Sequence, residues 1–512
     1  MLTVRLNKLV EGWKRLLKLI TKLVGKWQSY IIGGGAILLF FVLLLLRLDI
    51  PQRLFRGEEK QTPVMIIAAN GETWLTITQN GQKIGYVFRR LAQTEKGFKF
   101  SETFFMRINT MGIVQPINVQ TSADLKAGGE ISDFQFALRS NLFEFTAEGK
   151  FEDGKMSVRM GEDKNLKVFP MPNTPYLGGG VIAAAGRSNL KPGEGRTFSL
   201  FDPATLSRRP VTIISLGDES LTVMGKATPA RKLSVDFMGM KQIAWVSPEG
   251  LVLREEGILG IVLQMVSKKE ALSRLDAASG SDLTAAAAIP SSTPIADAPG
   301  LKTLTIRLHN LPAGHFLLEG GRQTYKDGLL TIRSEKSLKS MPRSPADPGN
   351  LEPYLKAAPF IESDNLKIKQ KVSEIVAAAD DDLTKAEKLV NWVHKNIVKR
   401  PVFSVPDALQ TLENMVGDCN EHAVLLAAMG RAAGLPTEIE TGLVYMRGSF
   451  FFHAWNVIYI KKLGGWITAD AALGQMPTDV THLRFVRGSL ESQVDMTGLI
   501  GRLTLDIVGM ER

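Results

Sequence analysis

Gly417-Asp418-Cys419-Asn420-Glu421-His422-Ala423 contains the only cysteine among 512 residues, and His453-Ala454-Trp455 and Trp466-Ile467-Thr468-Ala469-Asp470 follow it. A thiol becomes a useful nucleophile when an imidazole takes its proton and a third group holds that imidazole in the right tautomer. Three separate segments here supply one candidate for each part. Asp418 with Glu421 three residues later, ahead of an apolar run, reads as a capping box opening a helix from about Cys419 to Ala433. Cys419 then lies in the first helical turn, where unpaired N–H groups and the positive dipole end favour thiolate over thiol. Gly417 allows a close backbone approach just before the cap, and Gly434-Leu435-Pro436 ends the helix.

Phe450 to Ile460 is rich in aromatic and β-branched residues and reads as a buried strand, with Trp466 to Ala471 as the next one. Lys461-Lys462-Leu463-Gly464 is the turn between them. A four-residue turn sets Trp455 opposite Asp470 and makes His453 the same-face diagonal neighbour of Asp470, within reach of a carboxylate. An odd-numbered turn would separate the two onto opposite faces.

These motifs resemble the transglutaminase-like superfamily, which is papain-like in catalytic logic. The resemblance covers about Asp364 to Arg487 and includes a preceding helical pair, Asn365–Ala379 and Leu383–Lys399. It implies an α+β C-terminal domain in which Cys419 is the nucleophile, His453 the general acid/base and Asp470 the orienting carboxylate. It also implies acyl transfer through a thioester, with the Cys419 N–H as one oxyanion donor and no metal or organic cofactor.

Blander readings compete at each position. A lone cysteine is usually a small buried hydrophobe and a lone histidine a satisfied core group. Asp470 could cap a turn, with Asp479 as its nearest substitute. His422, one turn after Cys419, invites a metal set with His453 and Asp470, although no second cysteine or paired-histidine spacing supports one. His309, His315, His394 and His482 have no spaced partner and read as ordinary.

The opposite end of the chain carries Tyr30 to Leu46, an apolar run of seventeen residues. Before it stand Arg5, Lys8, Lys14, Arg15, Lys18, Lys22 and Lys26 against Glu11 alone. The positive-inside rule places this tail in the cytoplasm and the bulk of the chain on the periplasmic or extracytoplasmic side of the inner membrane. No small-x-small cleavage site follows Leu46, so 30–47 is expected to be an uncleaved single-pass transmembrane anchor behind a basic tail, 1–29. Seven basic residues against one acidic give the tail +6 of the formal +10. The remainder, with no Walker-type loop, dinucleotide fingerprint or basic stripe with interleaved aromatics, gives no reason to expect a nucleic-acid partner.

Residues 58–275 read as a β-rich antiparallel domain, a large curved sheet or incomplete barrel, with hairpin turns at Asn80-Gly81 and Asp153-Gly154. A flexible Ala/Ser/Thr/Pro linker is expected over 276–300, a small β module over 301–345 and the transglutaminase-like domain over 350–512. The expected partners are a peptide or amide substrate on the extracytoplasmic side, the membrane through the N-terminal helix, and an envelope protein through the β-rich domain. Three functions fit: a cysteine hydrolase of protease or amidase type, a protein cross-linker, and a non-catalytic envelope-binding module.

Overall fold

The computed structural model describes residues 71–512 apart from 162–165, 172–174, 177, 205, 238–239, 274, 276–279, 313–315, 336–348 and 489–492. The expected basic tail and anchor lie outside the described residues. Among the described residues no helix is long and apolar enough to cross a membrane.

Segments of alternating polarity build fourteen antiparallel strands into one sheet. The first eight, Gly71–Gln79 to Lys167–Pro170, run outward as a meander; the last six, Gly195–Asp202 to Ile261–Val266, run back until Ile261–Val266 pairs with Gly71–Gln79. Every second residue faces inward, as with Leu75 and Ile77, or Phe134, Phe136 and Leu138. Asn80-Gly81 and Asp153-Gly154 make the two-residue turns expected of them, both residues having positive φ. Met111-Gly112 and Met224-Gly225 turn in the same way, with methionine where asparagine would be easier.

The sheet curls until its far strands meet. Tyr176 N–H donates to Ser199 O and Phe201 N–H to Tyr176 O, both at 3.0 Å, while Ile131 N–H donates to Pro175 O at 3.1 Å. Pro175 and Tyr176 thus stitch the edge strand Gly195–Asp202 to Ile131–Arg139, and the rings of Phe134 and Phe201 meet across the join, tilted by 56° with centroids 5.1 Å apart. The helix Gly178–Arg187 packs Val181, Ile182 and Ala185 against Val211, Ile213, Leu233 and Val235.

The expected linker is ordered where it is described. Asp282 caps the short helix Leu283–Ala287 and its carboxylate also accepts the Gly112 N–H at 2.8 Å. Ile289–Pro290 pairs with Phe450 and Ser449, and Ile289 and Ile295 are buried in the same core as Phe450. Two isolated isoleucines anchor a segment that has no apolar periodicity. The small β module also differs: Thr303–His309, Gln323–Lys326 and Leu329–Arg333 are completed by Thr504–Glu511, so the chain's end belongs to that sheet.

The remaining domain sets the helices Leu366–Ile375, Asp382–Asn396, Ala408–Asn414 and Cys419–Ala432 against a five-stranded sheet. Val424 to Met429 are wholly or almost wholly buried, so the cysteine helix is the hub of this core. Ser449–Ile460 is the central strand. It pairs with Thr437–Met446 on one side and, on the other, with Ile289–Pro290 at one end and Gly465–Ala469 at the opposite end. Phe360 and Val405 insert into the core of the large sheet, the Phe360 ring lying 6.0 Å from Phe145. Gln115 Nε2 donates to Pro401 O at 2.8 Å beside them. Described residues of both regions belong to one compact unit, Val64–Arg512.

Candidate active site

Asp418 is the N-cap of the cysteine helix, its Oδ1 accepting from Asn420 N–H at 2.8 Å. Glu421 returns the bond, with Oε2 accepting the Asp418 N–H at 2.9 Å. The capping box read from sequence is complete, and it explains Gly417: a Cβ there would lie 2.2 Å from Glu421 Cβ. Ser404 Oγ donates to the other Glu421 oxygen. One neighbour of Ser404, Val405, is buried in the large sheet's core, so the cap of the cysteine helix is tied to that sheet. Burial and the nearby Asp418 carboxylate hold the Glu421 carboxyl well above its usual range.

Cys419, half-buried, opens the helix packed on the central strand, close to Ala454. The Ala454 backbone, one residue past His453, lies beside the thiol and favours its thiolate form. Burial first, and then the negative charges of Asp418 and Asp470, push the thiol well above its ordinary value. The positive end of the helix dipole, which favours thiolate, is opposed here by desolvation and by nearby carboxylates.

His453 lies on the central strand, one residue before Ala454. Its Nε2 is 2.7 Å from Asp470 Oδ2, and both side chains are buried. The strand register explains the contact. Asn456 pairs with Ala469 and Ile460 with Gly465 around a four-residue turn, Lys461 to Gly464, closed by left-handed Gly464. Trp455 therefore faces Asp470 and His453 is the diagonal neighbour. Asp470 Oδ1 accepts the Leu473 N–H at 2.9 Å, and its backbone exchanges two bonds with Gln475, which fixes the carboxylate plane.

A second imidazole reaches the same oxygen. His482, fully buried, has Nε2 3.0 Å from Asp470 Oδ2 and Nδ1 3.3 Å from Asp479 Oδ1. Reading His482 as ordinary is thereby corrected. The strand His482–Arg487 pairs with Thr437–Met446, so Val444 is opposite both His482 and Phe451, placing His482 on the face of His453. Asp479 holds this second ring and does not replace Asp470. Burial would raise the Asp470 carboxyl, but the charge and hydrogen bonds of His453 and His482 outweigh it and hold it far below the usual range. Burial likewise disfavours a charged His482, and its bonds to Asp470 and Asp479 overcome that.

Trp455 supports both rings, stacked on His453 with centroids 6.2 Å apart and edge-on to His482 at 5.2 Å. Its Nε1–H donates to Glu440 Oε2 at 2.9 Å. Burial opposes ionisation of Glu440, yet Arg487 and Arg484 lower it to about 2. Glu335, two residues past the strand Leu329–Arg333, accepts from Thr468 N–H at 3.2 Å and from its hydroxyl, and burial raises its carboxyl.

The metal set considered for His422 is not assembled. Its Nδ1 donates to Asp418 O at 2.6 Å, and burial lowers its affinity for a second proton. The ligand atoms of His453, Asp470 and His482 do lie within 4.8 Å of one another. Their separations of 2.7 and 3.0 Å are hydrogen-bond lengths, and a cation there would displace both ring protons that Asp470 accepts. His394 bonds Ala471 O, His309 pairs with Asp506, and His315 lies outside the described residues.

Comparison with known proteins bears on this site. The profile of the Transglutaminase-like superfamily matches residues 369–471. No curated protein matches the chain. Among solved structures, a candidate cysteine protease from Cytophaga hutchinsonii is similar at 18% identity and a TM-score of 0.26, over 41% of this chain and 84% of that one. A β-barrel-like protein of unknown function from Brucella abortus is similar at 14% identity and 0.31, over 38% and 95%. A candidate protease from Parabacteroides distasonis is similar at 12% and 0.20, over 64% of each chain. The cysteine helix, the His453 strand and the Asp470 strand thus fall inside a Transglutaminase-like superfamily domain, which this chain carries at 369–471.

Proposed function

We propose that this protein is a cysteine hydrolase of the protease or amidase type, held at a membrane by residues 30–47 and acting on peptide or amide bonds on the extracytoplasmic side. The observation that carries the reading is the buried bond from His453 Nε2 to Asp470 Oδ2, one residue from the Ala454 backbone that lies beside the Cys419 thiol. With Nε2–H donated to Asp470, the lone pair of His453 is on Nδ1. That nitrogen takes the thiol proton as the sulfur attacks an amide carbonyl. The resulting imidazolium gives its proton to the departing amine as the C–N bond breaks, leaving a thioester. Water, deprotonated by His453, then cleaves the thioester and returns the thiol. First-turn N–H groups have no intrahelical acceptor, so the Cys419 N–H is available to the tetrahedral oxyanion.

The high proton affinity of the isolated thiol supports a resting thiol that ionises only together with His453. Alkylation of full-length protein with iodoacetamide across pH 5–10 tests this. Rapid labelling of Cys419 below pH 8, lost in His453→Ala, is expected; a slow, ordinary thiol profile unaffected by that substitution overturns the reading. Product analysis then separates hydrolysis, which yields a new acid and amine, from cross-linking, which yields an isopeptide bond to lysine.

A further inference from the structure

We infer that His482 is a buried imidazolium, held between Asp479 and Asp470, and that it is a positioning residue whose charge tunes the field around His453 and Cys419. The inference rests on the proposed role of Cys419 and His453, but its charge assignment stands on geometry alone. Asp470 Oδ2 accepts from both His453 and His482, and Oδ1 from the Leu473 N–H. Asp479 Oδ1 accepts from the Thr481 N–H at 2.9 Å and its hydroxyl at 2.6 Å, and Oδ2 from Gln475 Nε2 at 3.0 Å. These contacts are donors to both carboxylates, so each is satisfied as an anion. His482 thus presents its two ring nitrogens to two anionic acceptors. A neutral ring would aim one lone pair at a carboxylate in a buried site, whereas the imidazolium donates at both ends.

The surrounding charges leave this arrangement in place. Arg322 approaches only the backbone, with Nη2 donating to His482 O at 3.2 Å and Nη1 to Thr478 O at 2.8 Å. Trp455 covers the ring edge and carries no charge. Glu440, beyond Trp455, is engaged by Arg484 and Arg487. His453 is a titratable neighbour, with ring centroids 5.9 Å apart, and His422 and Cys419 also feel the Asp470 charge.

The consequence for the site is electrostatic. The His482 cation balances the Asp470 anion while Asp470 still fixes the orientation and tautomer of the His453 ring.

Two measurements on the full-length protein decide this. Long-range proton–nitrogen spectra of ¹⁵N-histidine protein, assigned by the signals lost in His482→Gln, should show both ring nitrogens of His482 protonated from pH 6 to 9. One pyridine-type nitrogen on His482 at pH 7 overturns the assignment. In His482→Gln, which keeps a donor but removes the charge, both limbs of the alkylation profile should move upward by about 1–2 pH units, as removing a charge about 6 Å away in a medium of effective dielectric about 20 predicts. An unmoved profile in that folded variant overturns the tuning role. If the glutamine variant does not fold, Asp479→Asn provides the same decision: loss of double protonation on His482 with a shifted profile supports the inference, and loss without a shift overturns the tuning role. A wild-type profile insensitive to His453→Ala removes the hydrolase reading, and the spectra still decide the charge of His482.

Discussion

The large sheet and the C-terminal domain bury their side chains to different ends. In the sheet the inward positions are mostly apolar, and the buried Glu255 carboxylate is paired with Arg89, which Glu102 also engages. In the C-terminal domain Glu421, His422, Glu440, His453, Asn456, Asp470, His482 and Arg484 are all buried. Burying a charge costs several kcal/mol unless partners compensate it, so such a concentration is maintained only by a near-complete hydrogen-bond network. The sheet can tolerate repacking, and the site cannot tolerate the loss of one partner.

The largest test of that contrast is Asp470→Asn. The amide keeps the shape but can donate to His453 Nε2, which favours the wrong tautomer, and it leaves His482 with one anion. Acylation of Cys419 by an activated ester, followed by intact mass, should slow by about 10³–10⁴-fold. A loss below tenfold would show that the network is structural only. Phe360→Ala addresses the apolar side, because Phe360 belongs to the large sheet's core although it is carried by the other domain. A cost of about 3–5 kcal/mol in denaturant unfolding is expected, as for other deleted buried aromatics. A much smaller cost would mean that the two regions are energetically separate.

Gly417→Ala couples the two sides. The new Cβ would collide with Glu421 Cβ and force apart the box that Ser404 ties to the sheet-bound loop. We expect about 1–3 kcal/mol of destabilisation from the overpacking together with slower alkylation of Cys419. Unchanged reactivity with lowered stability would show that the cap supports the fold without positioning the thiol.

Much of the site could be read along the chain because its parts are local. The capping box spans four residues, and the His453–Asp470 diagonal follows from one hairpin whose turn length is visible as Lys461 to Gly464. His482 was not legible, because its place beside Asp470 depends on the strand order, with His482–Arg487 added beside Thr437–Met446 rather than beside Gly465–Ala469. The same limit hid Thr504–Glu511 in the small sheet and the anchoring of 280–300. Pattern shows that a strand exists, while its neighbour is fixed by contacts far apart in sequence.

The interface between the two regions also has a pH dependence. Glu362, two residues after Phe360, is pushed up to about 8 by burial and by the Asp407 carboxylate. The folded state therefore holds a proton that the unfolded chain releases near its ordinary value of 4.5. Stability from this group is complete below pH 4.5 and declines as pH rises through 8. Wild-type Tm should fall relative to Glu362→Gln across that window, since the amide is neutral throughout. Parallel curves would show that Glu362 does not hold its proton in the folded protein.

The smallest effect belongs to the sheet alone. Val223 and Lys226 are joined through Met224 and Gly225, both with positive φ, and Met224 is 56% exposed. Methionine pays a steric cost in that left-handed conformation, and asparagine lowers it by bonding locally. Exposure means that little packing is lost in exchange. Met224→Asn should therefore stabilise the protein by a few tenths to about 1 kcal/mol, with Cys419 alkylation unchanged. A loss of stability would mean that the Met224 side chain contributes packing to the sheet despite its exposure, and that even a surface hairpin of this sheet is held by apolar contact more than by turn geometry.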